Sequence, residues 1–192
     1  MKFSMRRIVI GALSLVAAVV TAGAVLVTAG SAGAATTSPA GRQVQQARQV
    51  RSAPALSWPT VKFGDKGNRV FAIQYLLRAR GYAVRPSGDF GGITRHDVAH
   101  FQRVRGMKGT GVVGSGTWDR LIVTVAFGSR GNAVAAVQQN LHFGYGYKNL
   151  PVTGFFGPIT RGDVRDFQRR HNIGLDGIVG PVTWNTIIRG ES

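Results

Sequence analysis

Residues Gly88 to Trp118, GDFGGITRHDVAHFQRVRGMKGTGVVGSGTW, return 66 positions later as Gly154 to Trp184, GFFGPITRGDVRDFQRRHNIGLDGIVGPVTW. The two stretches share 16 of 31 residues without a gap, where average residue usage gives roughly two by chance. Upstream, FGDKGNRVFAIQ from Phe63 matches FGSRGNAVAAVQ from Phe127 at an offset of 64, so the second copy has gained two residues in between. The chain is therefore an internal duplication with a unit of about 65 residues.

Each unit is long enough to bury a modest core. Cysteine is absent, which excludes a disulfide framework, a thiolate metal site and a cysteine nucleophile. Lysine and arginine number 24 against 8 acids, a net charge of +16. A surface of that sign attracts anionic polymers, although charge alone names no partner.

Residues 1–34 have a basic start (Lys2, Arg6, Arg7), an apolar run from Ile8 to Val27, and small residues ending in Ala32-Gly33-Ala34. This is the form of a secretory signal peptide, with cleavage expected after Ala34. The apolar run, about 20 residues, is also long enough to cross a bilayer if it were kept. Residues 35–58 shift to Thr, Ser, Pro, Gln, Arg and Ala and read as a flexible linker. Units are then expected at 59–123 and 124–190.

Within the first unit, Asn68 is placed to cap a helix with Val70, Ile73 and Leu77 at helical spacing and Gly81 at its end. The second repeats this with Asn132, Val134, Val137 and Leu141, ending near Gly144. A short irregular or hairpin segment follows, carrying Val84 in one unit and Val152 in the other. A second helix begins at Gly91-Gly92 or Gly157-Pro158, where proline suits the first helical position. Its expected buried stripe is Ile93, Val98 and Phe101, matched by Ile159, Val164 and Phe167. The turns Gly111-Val112-Val113-Gly114 and Gly177-Ile178-Val179-Gly180 lead to a third helix bearing Trp118 or Trp184. The fold class expected is mainly all-α: two tandem three-helix bundles, each burying three amphipathic stripes against one another.

The order G-x-x-G-x-x-V-x-x-x-Q, then G-x-F-G-x-x-T-R-x-x-V-x-x-F-Q-R, then G-x-V-G-x-x-T-W resembles the three-helix peptidoglycan-binding domain of bacterial cell-wall hydrolases. The resemblance runs from about Lys62 to Ile188. The second unit keeps the family's Asp-Gly before its last turn as Asp176-Gly177, whereas the first has Thr110-Gly111. Asp97 and Asp163 stand where the family usually has alanine. The resemblance implies a wall-binding module whose chemistry resides in a separate catalytic domain.

His96-Asp97-Val98-Ala99-His100 places two histidines one helical turn apart. A zinc site needs three protein ligands or more, and the duplicate has Gly162 and Asp166 in the histidine places, so no metal and no other cofactor is expected. Of the acids, only Asp97 and Asp163 recur, and on a helix they are expected to pair with an arginine or support the first turn. No Ser-His-Asp order, phosphate loop or dinucleotide fingerprint occurs, so no catalytic residue is assigned. Trp118 and Trp184 fit the core better than a sugar platform.

The candidate contacts are shared residues that packing does not demand. Arg95 and Arg161 lie in a first helical turn, a position unfavourable to a cation unless it serves a ligand, and a carboxylate would suit them. Tyr82 and Tyr147 offer an apolar face and a hydroxyl. Gln74, Gln102, Gln138 and Gln168 offer amides to acetamido or peptide groups, or else tie helices together internally. The expectation is a secreted, extracellular, non-enzymatic protein that associates with the cell wall. Peptidoglycan would be held by two linked sites, and anionic wall polymers would add attraction. The alternative is a cell-wall hydrolase or a subunit that activates one. An exported chain is not expected to bind nucleic acid, nor to stay in the membrane once the leader is removed.

Overall fold

In each half, three short helices close around one tryptophan. The computed structural model describes residues 56–190; the leader and most of the linker lie outside the described residues. The first half contains α1 (Asn68–Ala79), α2 (Gly92–Val104) and α3 (Ser115–Leu121). The second contains α4 (Asn132–Gln139), continued by a π-helical turn (Asn140–Gly144), then α5 (Pro158–Arg170) and α6 (Pro181–Arg189). Among the described residues the only extended pairing is four isolated bridges, two per half. Val61 meets Val113 and Lys66 meets Asp89, repeated as Val125 with Val179 and Arg130 with Phe155. They fasten the entry of each half to the loops before its second and third helices.

Trp118 and Trp184 are fully buried. Their indole N–H groups donate to the Pro59 and Val123 carbonyls, at 2.9 and 2.8 Å. A buried indole N–H without a partner would be costly. Trp58, expected at the end of the linker, belongs to this core: it stacks on Trp118 with ring centroids 5.6 Å apart and donates to Asp119 Oδ1 at 2.8 Å.

Several local expectations are corrected. Helices α1 and α4 start after Gly67 and Gly131, whose φ angles of 101° and 105° suit glycine; Asn68 and Asn132 are already helical and neither helix has a side-chain cap bond. Ile93 and Ile159 are exposed, 72 % and 57 %, because the first turns of α2 and α5 lie at the rim of the bundle, while Val98, Phe101, Val164 and Phe167 are buried as expected. The counterpart of Val84 is Leu150, fully buried, rather than the surface residue Val152. The expected arginine partners of Asp97 and Asp163 are absent among the described residues; Asp97 meets His96 at 3.3 Å instead.

The two extra residues of the second half can be located. Tyr82 N–H donates to the Leu77 carbonyl, but Tyr147 N–H reaches the equivalent Leu141 carbonyl from one residue further on. The π turn absorbs that residue, as single insertions in helices often do. The other enters the turn closed by Leu150 N–H on the Tyr147 carbonyl. The chain is back in register at the next contact, since the Val84 carbonyl accepts from Arg78 and the Leu150 carbonyl is bonded to His142.

The insertion also changes how the last helix of each half is capped. Arg80 donates to the Arg120, Leu121 and Ile122 carbonyls at the end of α3. Burial and the neighbouring Arg105 lower its pKa. At the end of α6 the Tyr145 hydroxyl takes this place, 3.0 and 2.8 Å from the Thr186 and Ile187 carbonyls. Both satisfy C-terminal carbonyls that a helix leaves open.

The halves are not separate beads. Six consecutive residues of α4, Ala133 to Gln138, are all buried, so no face of the helix meets water, and its second neighbour is α1 of the first half. A helix covered on all sides is interior to its body. Polar bonds cross the same boundary: Arg69 Nε to the Ile188 carbonyl at 2.8 Å, Arg78 Nε to Asn132 Oδ1 at 3.3 Å, and Asn185 Nδ2 to the Ser57 carbonyl at 2.8 Å.

Asn140 lies within this packing, completely buried, and its Oδ1 has no partner although Nδ2 donates to the Ala136 carbonyl at 2.8 Å. The first half has Leu76 in this place, also buried. An unsatisfied buried polar atom costs about 1–3 kcal/mol. Asn140→Leu is therefore expected to stabilise the protein by about 1 kcal/mol or more, read as a higher urea midpoint with an unchanged slope.

Candidate functional site

The four glutamines proposed as ligand contacts are buried, and their amides are spent internally. Gln74 Nε2 donates to the Asp89 carbonyl and Thr94 Oγ1 at 2.9 and 3.0 Å, and its Oε1 accepts from the N–H of Ser87 and Gly88. Gln138 repeats this with Phe155, Thr160, Thr153 and Gly154. Gln102 donates to the Val112 carbonyl and Thr117 Oγ1 and accepts from Gly111 N–H at 2.9 Å. Gln168 donates to Asp176, Ile178 and Thr183 and accepts from Gly177 N–H at 2.8 Å. Each amide thus fixes a loop against two helices. The expectation that these amides face a ligand is corrected by their burial.

What remains on the surface is a recurring group at the first turn of the second helix. Gly64 N–H bonds the Phe90 carbonyl and Gly128 N–H the Phe156 carbonyl, both at 3.0 Å. These bonds set Phe63 and Phe127 beside α2 and α5, each 57 % exposed. The Arg95 guanidinium lies 5.6 Å from the Phe63 ring centre, and that of Arg161 lies 5.9 Å from Phe127. Ile93 and Ile159, in the first turns of the same helices, are also exposed. Arg95 and Arg161 make no ion pair among the described residues. An exposed aromatic ring beside a guanidinium with no ion pair, present twice, can take a ligand with an apolar face and an anionic group. Sequence periodicity missed the aromatic and aliphatic members because apolar residues near a helix start look like core. The available signal was that Phe63 and Phe127 stand outside the helical stripe.

The tyrosines are half-buried and have diverged. Tyr82 packs edge-on against Phe101 and its hydroxyl is 3.0 Å from His100 Nδ1, at the side of a concavity of about 500 Å³ that also meets Arg80 and Asp97. Tyr147 instead donates to Asp166 Oδ2 at 3.0 Å. That carboxylate is also held by Arg169 and, at 2.5 Å, by Arg170. Burial pushes the Asp166 carboxyl upward, but the Tyr147 hydroxyl and the two arginines outweigh it and hold it below the usual range. Burial first, then the neighbouring Asp166, raises the Asp163 carboxyl. His96 and His100 are exposed, and among the described residues no three His, Asp, Glu or Cys side chains converge on a metal position. No described helix is long and apolar enough to cross a membrane.

The fold and surface define a tandem pair of three-helix binding units. A sequence profile for the family described as "Putative peptidoglycan binding domain" matches residues 66–121 and 130–187, one match per half, and the chain belongs to this family. Among relatives, it is 28 % identical over 151 residues to a protein named "Probable N-acetylmuramoyl-L-alanine amidase" from Bacillus licheniformis, covering 64 % of this chain and 43 % of that one. It is 39 % identical over 66 residues to the "Zinc D-Ala-D-Ala carboxypeptidase" of Streptomyces albus G, covering 33 % and 26 %. A crystal structure of a peptidoglycan-binding protein from Clostridioides difficile, in complex with glutamine hydroxamate, matches at 34 % identity and a TM-score of 0.34, over 35 % of this chain and 42 % of that one. The chain spans less than half the length of each of these relatives.

Two outcomes are expected from this geometry. Gln168→Leu strands the Gly177 N–H and removes the amide donor to Thr183 Oγ1, whose hydroxyl still donates to the Ile178 carbonyl, and is expected to lower stability by about 1–3 kcal/mol, measured by urea unfolding. Burial and the hydrogen bond to Asp166 push the Tyr147 hydroxyl up to about 12. A raised folded-state pKa stabilises fully below the unfolded value near 10 and is lost as pH rises through about 12. Absorbance titration near 295 nm is expected to show one phenol ionising about two units late, and Tyr147→Phe to remove that phase and flatten the stability loss above pH 10.

Proposed function

We propose that the chain is a secreted, non-catalytic protein that holds peptidoglycan through two tandem modules, 59–123 and 124–190, behind a cleaved leader (1–34) and a linker (35–58). The observation that carries this reading is the repetition of the exposed pair Phe63 and Arg95 as Phe127 and Arg161, with Ile93 and Ile159 exposed in the same first turns, on two copies of a peptidoglycan-binding fold. Packing does not explain it, since these residues are solvent-facing and identical while their surroundings have changed. Each ring offers a sugar or peptide an apolar face, with a guanidinium stacked beside it. Tyr82 and Tyr147 flank the modules at the other side of the second helix. Two linked weak sites gain avidity, by about 10² or more when both engage. The net charge of +16 adds attraction to anionic wall polymers.

The names of the relatives favour a second reading, in which the chain is or activates a cell-wall hydrolase. Against it stands the use of four of the seven described acids: Asp166 is held by Tyr147 and two arginines, Asp119 by Trp58, Asp176 by Gln168, and Asp89 by Lys66.

The full chain is expected to be retained on purified sacculi stripped of anionic polymers, to give no clearing in a zymogram, and to begin at Ala35 when recovered from growing cells. Passage through the stripped sacculi would sink wall recognition, and clearing by the purified chain alone would sink the non-catalytic assignment.

A further inference from the structure

The two halves differ at a concavity of about 490 Å³ between α2 and the loop 109–111. Arg95, His96 and Arg103 reach it, and no acid lines it. The Arg103 side chain makes no hydrogen bond or ion pair among the described residues. Both arginines are seated against glycine. A Cβ on Gly109 would fall 2.7 Å from Arg103 Nη1 and 2.9 Å from the Ala99 carbonyl, and one on Gly111 would fall 2.7 Å from Arg95 Cγ. Glycine at these places lets the two side chains lie along the loop, which reduces the rotamer freedom a ligand would have to remove. Neither the N–H nor the C=O of Gly109 is bonded within the described residues.

The second half has taken the same place apart. Leu175 replaces Gly109, Arg165 replaces Ala99, and Asp176 replaces Thr110. Arg169, the counterpart of Arg103, is drawn away to Asp166. The Asp176 carboxylate is fixed by Gln168 Nε2 and the Ile178 N–H, both at 2.8 Å, so it puts a negative charge where the first half has none.

We propose that the first half alone carries a site for the free C-terminal carboxylate of a short peptide, bound by Arg95 and Arg103 with the Gly109 peptide group as a further partner. A planar guanidinium matches a carboxylate, and Arg95 and Arg103 are the two that line this concavity. The volume and the open Gly109 backbone suit a peptide end better than a bare phosphate. The assignment of the ligand to peptides, though not the site itself, rests on the peptidoglycan reading. The halves then divide their tasks: both present the exposed aromatic group, and one reads peptide ends.

The test is a titration of the isotopically labelled full chain with N-acetyl-D-alanyl-D-alanine, its C-terminal amide and inorganic phosphate, followed through backbone amide and arginine Nε signals. The free acid is expected to shift Arg95, Arg103 and Gly109 to Gly111 while Arg161 and Gly177 stay in place, with the amide and phosphate at least five-fold weaker. Thr110→Asp is expected to weaken the acid about ten-fold by like-charge repulsion. The substitution is tolerable because the second half accommodates aspartate there; should the spectrum of that variant show unfolding, Arg103→Gln on the exposed side of α2 gives the same readout. Equal binding of the amide, stronger binding of phosphate, shifts centred on the second half, no shift at tens of millimolar, or undiminished binding by a folded variant would each overturn the site. Sacculus retention is read separately. Acid-specific shifts without retention would leave the site standing and remove the wall assignment, and retention without such shifts would do the reverse.

Discussion

A primary amide sealed away from water is the constraint on which each half depends. Glutamine carries two donors and an acceptor with two lone pairs, and burial makes every one of them a liability unless it is met. Gln74, Gln102, Gln138 and Gln168 meet theirs with the backbone of the loop that follows and with a threonine on the next helix. The amide does for a loop what a strand partner does for a sheet edge. Three helices of 7 to 13 residues are too short to be stable alone, so the loops have to be fixed as firmly as the helices. The positive φ of Gly111 and Gly177, 70° and 72°, turns their N–H groups onto the glutamine oxygen.

Much of this was legible in the residues. The glycines, the Val-Phe stripes of α2 and α5 and the two tryptophans occupy the expected places, and the duplication made each expectation testable against its twin. For the glutamines the sequence leaves two readings open, a ligand contact or an internal tie, because an amide satisfies a ligand and a loop with the same atoms and spacing does not report burial. Their burial favours the internal tie. For Ile93 and Ile159 the difference runs in the opposite sense: periodicity counts an apolar residue in the first turn as core, although the bundle ends there. Pairing Val152 with Val84 follows residue type at an offset of 68, whereas the offset of 66 that holds from Gly88 onward leads from Val84 to Leu150.

Of the candidate site, the arginines were found from the mismatch between a cation and a helix start, and their aromatic partners were not. The loop carrying Phe63 or Phe127 comes next to α2 or α5 through backbone bonds between residues 26 and 28 positions apart in sequence, respectively, which no local pattern shows. The differences between the halves were visible as substitutions, but their meaning required neighbours. Lys66 with Asp89, an ion pair at 2.9 Å, becomes Arg130 over the Phe155 ring at 4.1 Å. Arg80 gives way to Tyr145 as the cap of a terminal helix. In each case the position is kept and the interaction is exchanged.

The burial of α4 from both sides makes the duplicated halves share an interior. Free energy supplied anywhere in such a body is felt throughout it, because α4 cannot loosen without exposing apolar surface of α1 and of its own unit together. A ligand held only by the first half would therefore slow hydrogen exchange at amides of the second, by linkage and without any change of shape. A piece cut between the halves, in turn, would carry the apolar face of α1 or of α4 into water. What began as two copies is, thermodynamically, one object with two faces.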